Sequence, residues 1–149
     1  MPKNYRFGFE AWGLALFLPI MLPNFVWFAL PAPNDVLRAE SITPIIDAIA
    51  SIAQVMSIVE LCIIVRKDSE KPVFNALSAA AGIFCAMYYA AWIAYYLGAA
   101  NSAVIIGLCI FPCASFICFA LYRKNYIALV PLTVFTVCHM IYGTVNFII

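Results

Sequence analysis

Five apolar stretches, each about as long as a helix that crosses a bilayer, occupy nearly the whole chain. They cover residues 8–30, 44–65, 73–97, 102–122 and 126–148. Only 10% of the 149 residues are charged, against roughly 25% in soluble domains. The sequence therefore predicts an all-α integral membrane protein, in which residues 1–149 form a single bundle of five transmembrane helices.

The weakest division in this pattern lies at 98–101, because the sequence from 73 to 122 is almost continuously apolar. That segment is about twice as long as one membrane span. A tight hairpin at 98–101 therefore explains it better than one very long helix.

Positive charges alternate in a way that predicts the orientation. Lys3, Arg6, Arg66, Lys67, Lys71, Arg123 and Lys124 fall on one side of the five spans, and Arg38 falls on the other. Because cytoplasmic loops carry an excess of Lys and Arg, we expect the N-terminus in the cytoplasm and the C-terminus outside. The expected location is the cell membrane, which the chain crosses several times. The first apolar stretch is long and proline-rich, so we expect it to be retained rather than cleaved as a signal peptide.

Several classes of function receive little support. Five spans leave no room for a soluble catalytic domain, and a net charge of +1 argues against a nucleic-acid partner. The sequence contains no Walker loop, dinucleotide fingerprint or hydrolase motif. The six cysteines lie inside predicted spans without a C-x-x-C pair, which is typical of packing residues. We therefore predict neither a metal nor a cofactor.

The first span contains Pro19 and Pro23, which each remove a backbone donor. A bent helix packed against its neighbours is the simpler expectation, and Asn24 could bond the freed carbonyl groups. The alternative is an interrupted helix whose exposed backbone lines a binding site, as in many secondary transporters.

The second span carries polar side chains at several depths. Thr43 and Pro44 predict its start, and the helix dipole accounts for Asp47 in the first turn. Gln54 lies near the middle. Glu60 lies close to the cytoplasmic boundary, where a carboxylate either pairs with Arg123 or Lys124 or serves as an intramembrane functional group. Both interpretations of Glu60 remain open.

The third span combines an aromatic face with a row of small residues. The aromatic residues are Tyr88, Tyr89, Trp92, Tyr95 and Tyr96, and the small ones are Gly82, Ala86, Ala90 and Ala94. Tight helix packing is the simpler interpretation of both. The alternative is an aromatic vestibule for an organic cation or amphiphile.

The only histidine, His139, lies in the fifth span and is expected to face the bundle. Counting inward from the span ends places Pro19, Gln54, Cys85, Pro112 and His139 near the bilayer midplane. Transporter folds place interrupted helices and polar groups at this depth.

Three functions remain open. The first is a small transporter or permease-like protein, with Asn24, Gln54, Glu60, Tyr89 and His139 as substrate-binding residues. The second is a non-catalytic subunit that docks on another membrane protein through its small-residue rows. The third, with the least support, is an intramembrane enzyme acting on lipid. The expected partners are the lipid bilayer and a second copy of the chain or another membrane protein.

Overall fold

The computed structural model describes residues 3–68 and 73–149 of the chain. This part contains five helices that are long and apolar enough to cross a membrane, which confirms the predicted number. They are α1 (Ala11–Ala29), α2 (Pro44–Ile63), α3 (Ala76–Tyr96), α4 (Ser102–Tyr122) and α5 (Leu129–Phe147). The hairpin at 98–101 is confirmed: it joins α3 to α4, and Gly98 takes a φ of 93°, a conformation that favours glycine.

A small antiparallel sheet, which the all-α prediction missed, closes one end of the bundle. Strand β1 (Tyr5–Phe7) pairs with β2 (Ile64–Arg66), with Phe7 opposite Ile64. The second span was predicted to be helical to residue 65, whereas α2 ends at Ile63. The chain becomes extended there because the segment before α1 supplies backbone partners for it.

We call the end that carries the sheet the strand end and the opposite end, with residues 30–43 and 97–101, the loop end. Lys3, Arg6, Arg66, Lys67, Arg123 and Lys124 belong to the strand end, and Arg38 to the loop end. Lys71 lies outside the described residues. Among the residues described, the cations therefore divide between the two ends as the sequence predicts.

Helix α4 lies at the centre of the bundle. It is the most buried of the five helices and packs against α3 on one side and α5 on the other. The Ser115 hydroxyl, fully buried, donates a hydrogen bond to the Ala81 carbonyl on α3 (2.8 Å). A Cβ at Gly143 would lie 2.5 Å from the Cys109 sulfur, so α4 and α5 approach closely. Helix α2 packs mainly on α5.

Helix α1 packs least and is continuous through both of its prolines. The interrupted-helix alternative is therefore wrong. Pro23 leaves the carbonyl of Pro19 without its usual donor, and the Tyr89 hydroxyl on α3 donates to that oxygen instead (2.7 Å). We expected Asn24 to fill this role, but its amide donates to the Ile20 carbonyl (3.2 Å) and the Tyr88 hydroxyl (2.8 Å).

Candidate functional site

Helices α1 and α2 are held together at the strand end. The Glu10 amide donates to the Cys62 carbonyl (2.8 Å), and the Gly13 backbone lies against the Leu61 carbonyl. A Cβ at Gly13 would lie only 2.6 Å from that oxygen, so the contact requires glycine.

Toward the loop end α1 and α2 border a cavity of about 410 Å³, to which all five helices contribute. This volume is typical of sites that bind small molecules. Its polar lining consists of Asn24, Asp47, Ser51, Gln54, Tyr88, His139 and Tyr142. Ser51 and Phe28, which line it from α2 and α1, are exposed, so the cavity opens to the surroundings between these two helices.

Gln54 and His139, which were predicted to lie at a common depth, both line the cavity. Within residues 3–68 and 73–149 neither side chain forms a hydrogen bond to the protein. The His139 ring is stacked between Phe135 and Tyr142, at centroid distances of 5.0 and 6.1 Å. The position of His139 is therefore set by ring packing, and its polar atoms remain available to water or a ligand.

Asn24 joins the same cavity from α1. Both hydrogen bonds of its side chain are donated by the amide nitrogen, so the amide oxygen has no partner in the described part of the chain. The bond to Tyr88 fixes the position of the Asn24 side chain on α1 against α3. The cavity lining therefore includes an acceptor, the Asn24 amide oxygen, that receives no hydrogen bond from the described protein.

Asp47 lines the cavity from the first turn of α2, where the predicted Thr43–Pro44 start of the helix is confirmed. Its carboxylate accepts a hydrogen bond from the Thr43 hydroxyl (3.0 Å), which itself accepts one from the Asn146 amide (2.7 Å). No ion pair of Asp47 occurs among the described residues. The helix dipole stabilises the negative charge, which remains without a cationic partner in this region.

Two of the five predicted site residues, Glu60 and Tyr89, do not line this cavity. Glu60 lies toward the strand end of α2, and its buried Oε2 has no hydrogen-bond partner within the described ranges. Arg123, one of its expected partners, forms a buried ion pair with Glu10 (2.8 Å). The Tyr89 hydroxyl donates a hydrogen bond to the Pro19 carbonyl on α1, and Tyr89 lines a separate groove between α1 and α3.

Tyr88 and Trp92 were placed in the aromatic row but not among the predicted site residues, and both line the cavity. Trp92 is only 6% exposed, and its indole N–H has no acceptor among the described residues. Helical spacing could have distinguished Tyr88 from Tyr89, because adjacent residues point about 100° apart. Helical spacing shows that Tyr88 and Tyr89 point to different sides of α3, but the sequence does not show which of the two sides faces the cavity.

A cluster around Asp35, which was not predicted from the sequence, secures the loop end of the cavity. The carboxylate accepts hydrogen bonds from the Trp27 indole (2.8 Å), the Tyr95 hydroxyl (2.9 Å) and the Arg38 guanidinium (2.7 Å). Desolvation raises the pKa of Asp35, but the hydrogen bonds that it accepts outweigh this effect and lower the pKa below its ordinary value. Because Trp27 and Leu37 line the cavity, the cluster positions part of its wall.

Metal ligands do not converge in the described ranges, which contain no group of three His, Cys, Asp or Glu side chains suited to an ion. The chain matches no protein-family model, no curated protein and no solved structure. The geometry of the cavity is therefore the basis for assigning a function.

Proposed function

We propose that this chain is a small transporter that binds a solute in the cavity and moves it across the membrane. The observation that carries the proposal is that Gln54 and His139 both line the cavity and form no side-chain hydrogen bond within the described residues. Unsatisfied polar groups at this depth are costly unless water or a ligand reaches them.

The orientation belongs to the same proposal. Six described cations at the strand end favour a cytoplasmic location for that end, and the cavity then faces the outer half of the cell membrane. The chain would end on the outside after five crossings.

Helix α1 is the element best suited to change the access to the cavity. It packs least and contains two prolines, while its contact with α2 is concentrated at Gly13 near the strand end. Hydroxyl bonds from Tyr89 and Tyr96 hold its far half to α3. Tilting about the strand end would break these bonds together with the Asn24–Tyr88 and Trp27–Asp35 hydrogen bonds, a limited set of polar contacts that favours a hinge over a general repacking.

A second function, a non-catalytic partner subunit, is favoured by a different observation. Gly82, Ala86 and Ala90 lie exposed on the outer face of α3, and a Cβ at Gly82 would meet nothing within 4 Å. Such a row allows another transmembrane helix to approach closely. This surface is compatible with transport if a second copy completes the pathway.

The enzyme hypothesis has the weakest support. Asp47 and His139 line the same cavity, but no hydrogen bond joins them into an acid–base pair in the described structure. We therefore do not propose it further.

The direct test is flux of a panel of solutes, and of protons, into liposomes containing the purified chain. Gln54→Leu and His139→Ala should each reduce the flux at least about tenfold, because they remove cavity groups that replace solvent. Thr133→Val is the matched control, because Thr133 is exposed and bonds only within α5. Glu60→Gln tests whether transport requires a titrating carboxylate.

Flux that is unaffected by Gln54→Leu and His139→Ala, or no flux for any solute, would contradict the transport proposal. The partner-subunit alternative predicts instead that Ala86→Leu abolishes association with another membrane helix. Cross-linking in membranes measures that association, and Thr133→Val again serves as the control.

A further inference from the structure

We infer that the cavity between α1 and α2 selects an organic cation with an apolar or aromatic body, whose charge is held by Asp47. This inference rests on the proposed function and names the class of solute. It arises from a juxtaposition of one uncompensated carboxylate and several aromatic rings around the same cavity.

The charge of the lining favours a cation. Asp47 is the one lining residue with a formal charge at neutral pH, and neither Lys nor Arg lines the cavity within the described chain. Its only side-chain partner there is the Thr43 hydroxyl. A carboxylate facing a partly desolvated cavity attracts a cation more strongly than it would in water.

The aromatic lining favours an organic cation over a metal ion. Rings reach the cavity from α1, α3, α4 and α5: Trp27, Phe28, Tyr88, Trp92, Phe116 and Tyr142. Tyr142 forms part of a continuous column, since His139 lies 6.1 Å and Phe147 lies 5.2 Å from its ring. Aromatic faces bind quaternary and alkyl ammonium groups, and their apolar surface also accommodates the body of such a molecule.

The neutral polar groups fit the same class. The Asn24 amide oxygen and the Gln54 amide can orient a cation or its bound water. Both hydrogen bonds donated by the Asn24 amide nitrogen go to protein acceptors, so this residue offers an acceptor rather than a donor. An anionic solute would face Asp47 without a Lys or Arg in the described lining to neutralise its charge.

The test is equilibrium binding of radiolabelled benzyltrimethylammonium to the full chain in nanodiscs of phosphatidylcholine, a lipid without net charge. Neopentylbenzene, in which carbon replaces the quaternary nitrogen, is the neutral competitor of the same shape. We expect the cation to bind and unlabelled cation to displace it, whereas the neutral isostere should compete at least about tenfold less well. Such a ratio corresponds to about 1.4 kcal/mol of charge recognition.

Asp47→Asn should weaken binding of the cation at least about tenfold, because the amide keeps an acceptor for Thr43 but removes the charge. Asp47→Glu should restore much of the affinity. Glu40→Gln removes a carboxylate from the same end of the molecule, but Glu40 is exposed and does not line the cavity, so binding should be unchanged. Circular dichroism of each variant checks that the helices remain folded.

Absence of cation binding, equal competition by neopentylbenzene, or equal binding to wild type and Asp47→Asn would overturn the inference. These results are distinguishable from failure of the proposed function. Flux of a neutral solute that depends on Gln54 and His139 would preserve transport and reject the cation. Cation binding that depends on Asp47 in a chain without any flux would preserve the site and reject transport.

Discussion

The two ends of the α1–α2 interface differ in whether their polar side chains have partners within the protein. At the strand end, Glu10 pairs with Arg123, and the buried Asn125 amide donates to the carbonyls of Glu60 (2.8 Å) and Ile64 (2.9 Å), whereas the Glu60 Oε2 is the exception without a partner among the described residues. Toward the loop end the helices diverge around the cavity, where Gln54 and His139 have no protein partners in the part described.

This difference separates polar groups that stabilise the fold from polar groups that are free to bind. A buried polar group with its bonds made is costly to remove, because its partner is then left unpaired. A polar group facing an open cavity leaves no partner behind. Stability measurements at the two ends can therefore test the comparison directly.

The largest effect is expected at the buried ion pair. Glu10→Leu should lower the free energy of unfolding by about 3 kcal/mol, because the Arg123 charge loses its carboxylate in a site where both side chains are largely buried. Unfolding by SDS in mixed micelles measures the change. Glu40→Leu, at an exposed carboxylate, is the control, and an equal loss in both variants would contradict a special role for the pair.

A smaller effect is expected where α1 and α2 touch. Gly13→Ala should destabilise the chain by about 2 kcal/mol, because the new Cβ would overlap the Leu61 carbonyl and force the helices apart. Gly82→Ala is the matched control. With open space around Gly82, it should leave stability unchanged or raise it by up to about 1 kcal/mol. The same micelle titration compares them, and similar losses would argue against close contact at Gly13.

The Asp35 cluster should make the loop end sensitive to acid. The folded-state pKa of Asp35 is lowered from about 3.8, so its contribution to stability is complete above that value and is lost as the pH falls through the lower folded pKa. Asp35→Asn should cost about 1.5 kcal/mol at pH 7 and reduce the loss of stability in acid.

Unfolding free energies at pH 7 and at successively lower pH measure this effect. The exposed carboxylate of Glu40 supplies the control variant Glu40→Gln, which should retain the acid response of the wild type. An unchanged acid response in Asp35→Asn would assign the effect to other groups.

The smallest effect is expected inside the cavity. Gln54→Leu should change the free energy of unfolding by less than about 0.5 kcal/mol, because no partner among the described residues loses a bond. Asn125→Leu, which leaves two buried carbonyls without their donor, should cost about 2 kcal/mol in the same micelle titration. Comparable losses for the two variants would mean that Gln54 is a structural residue.

The sequence predicted the helices and much of the site because both depend on local regularities. Apolar length determined the five spans, and the predicted bounds 102–122 of the fourth match α4. Depth along each span placed Gln54 and His139 at one level, where they line one cavity. Asn24, which was proposed because it follows a proline, lines the same cavity. Its amide bonds to the Ile20 carbonyl and the Tyr88 hydroxyl rather than to a carbonyl freed by the prolines.

Contacts between distant residues could not be predicted in this way. Glu10 meets Arg123 across 113 positions, a pair that the sequence did not predict. The small-residue row of α3 was predicted to pack tightly against a helix, either within the bundle or on another membrane protein, and the structure leaves its Gly82, Ala86 and Ala90 exposed. Helical periodicity shows which residues share a face, but the neighbour of that face depends on the packing of all five helices.

By itself the sequence determined that this chain forms five long apolar helices and that its cations divide between their two ends, because length and charge act segment by segment. Tertiary structure decided that α1 and α2 meet at Gly13 and then border a cavity lined by Asn24, Gln54 and His139. The physical reason is that close packing depends on the shapes of surfaces brought together from the whole chain, and a cavity exists only where those surfaces fail to meet.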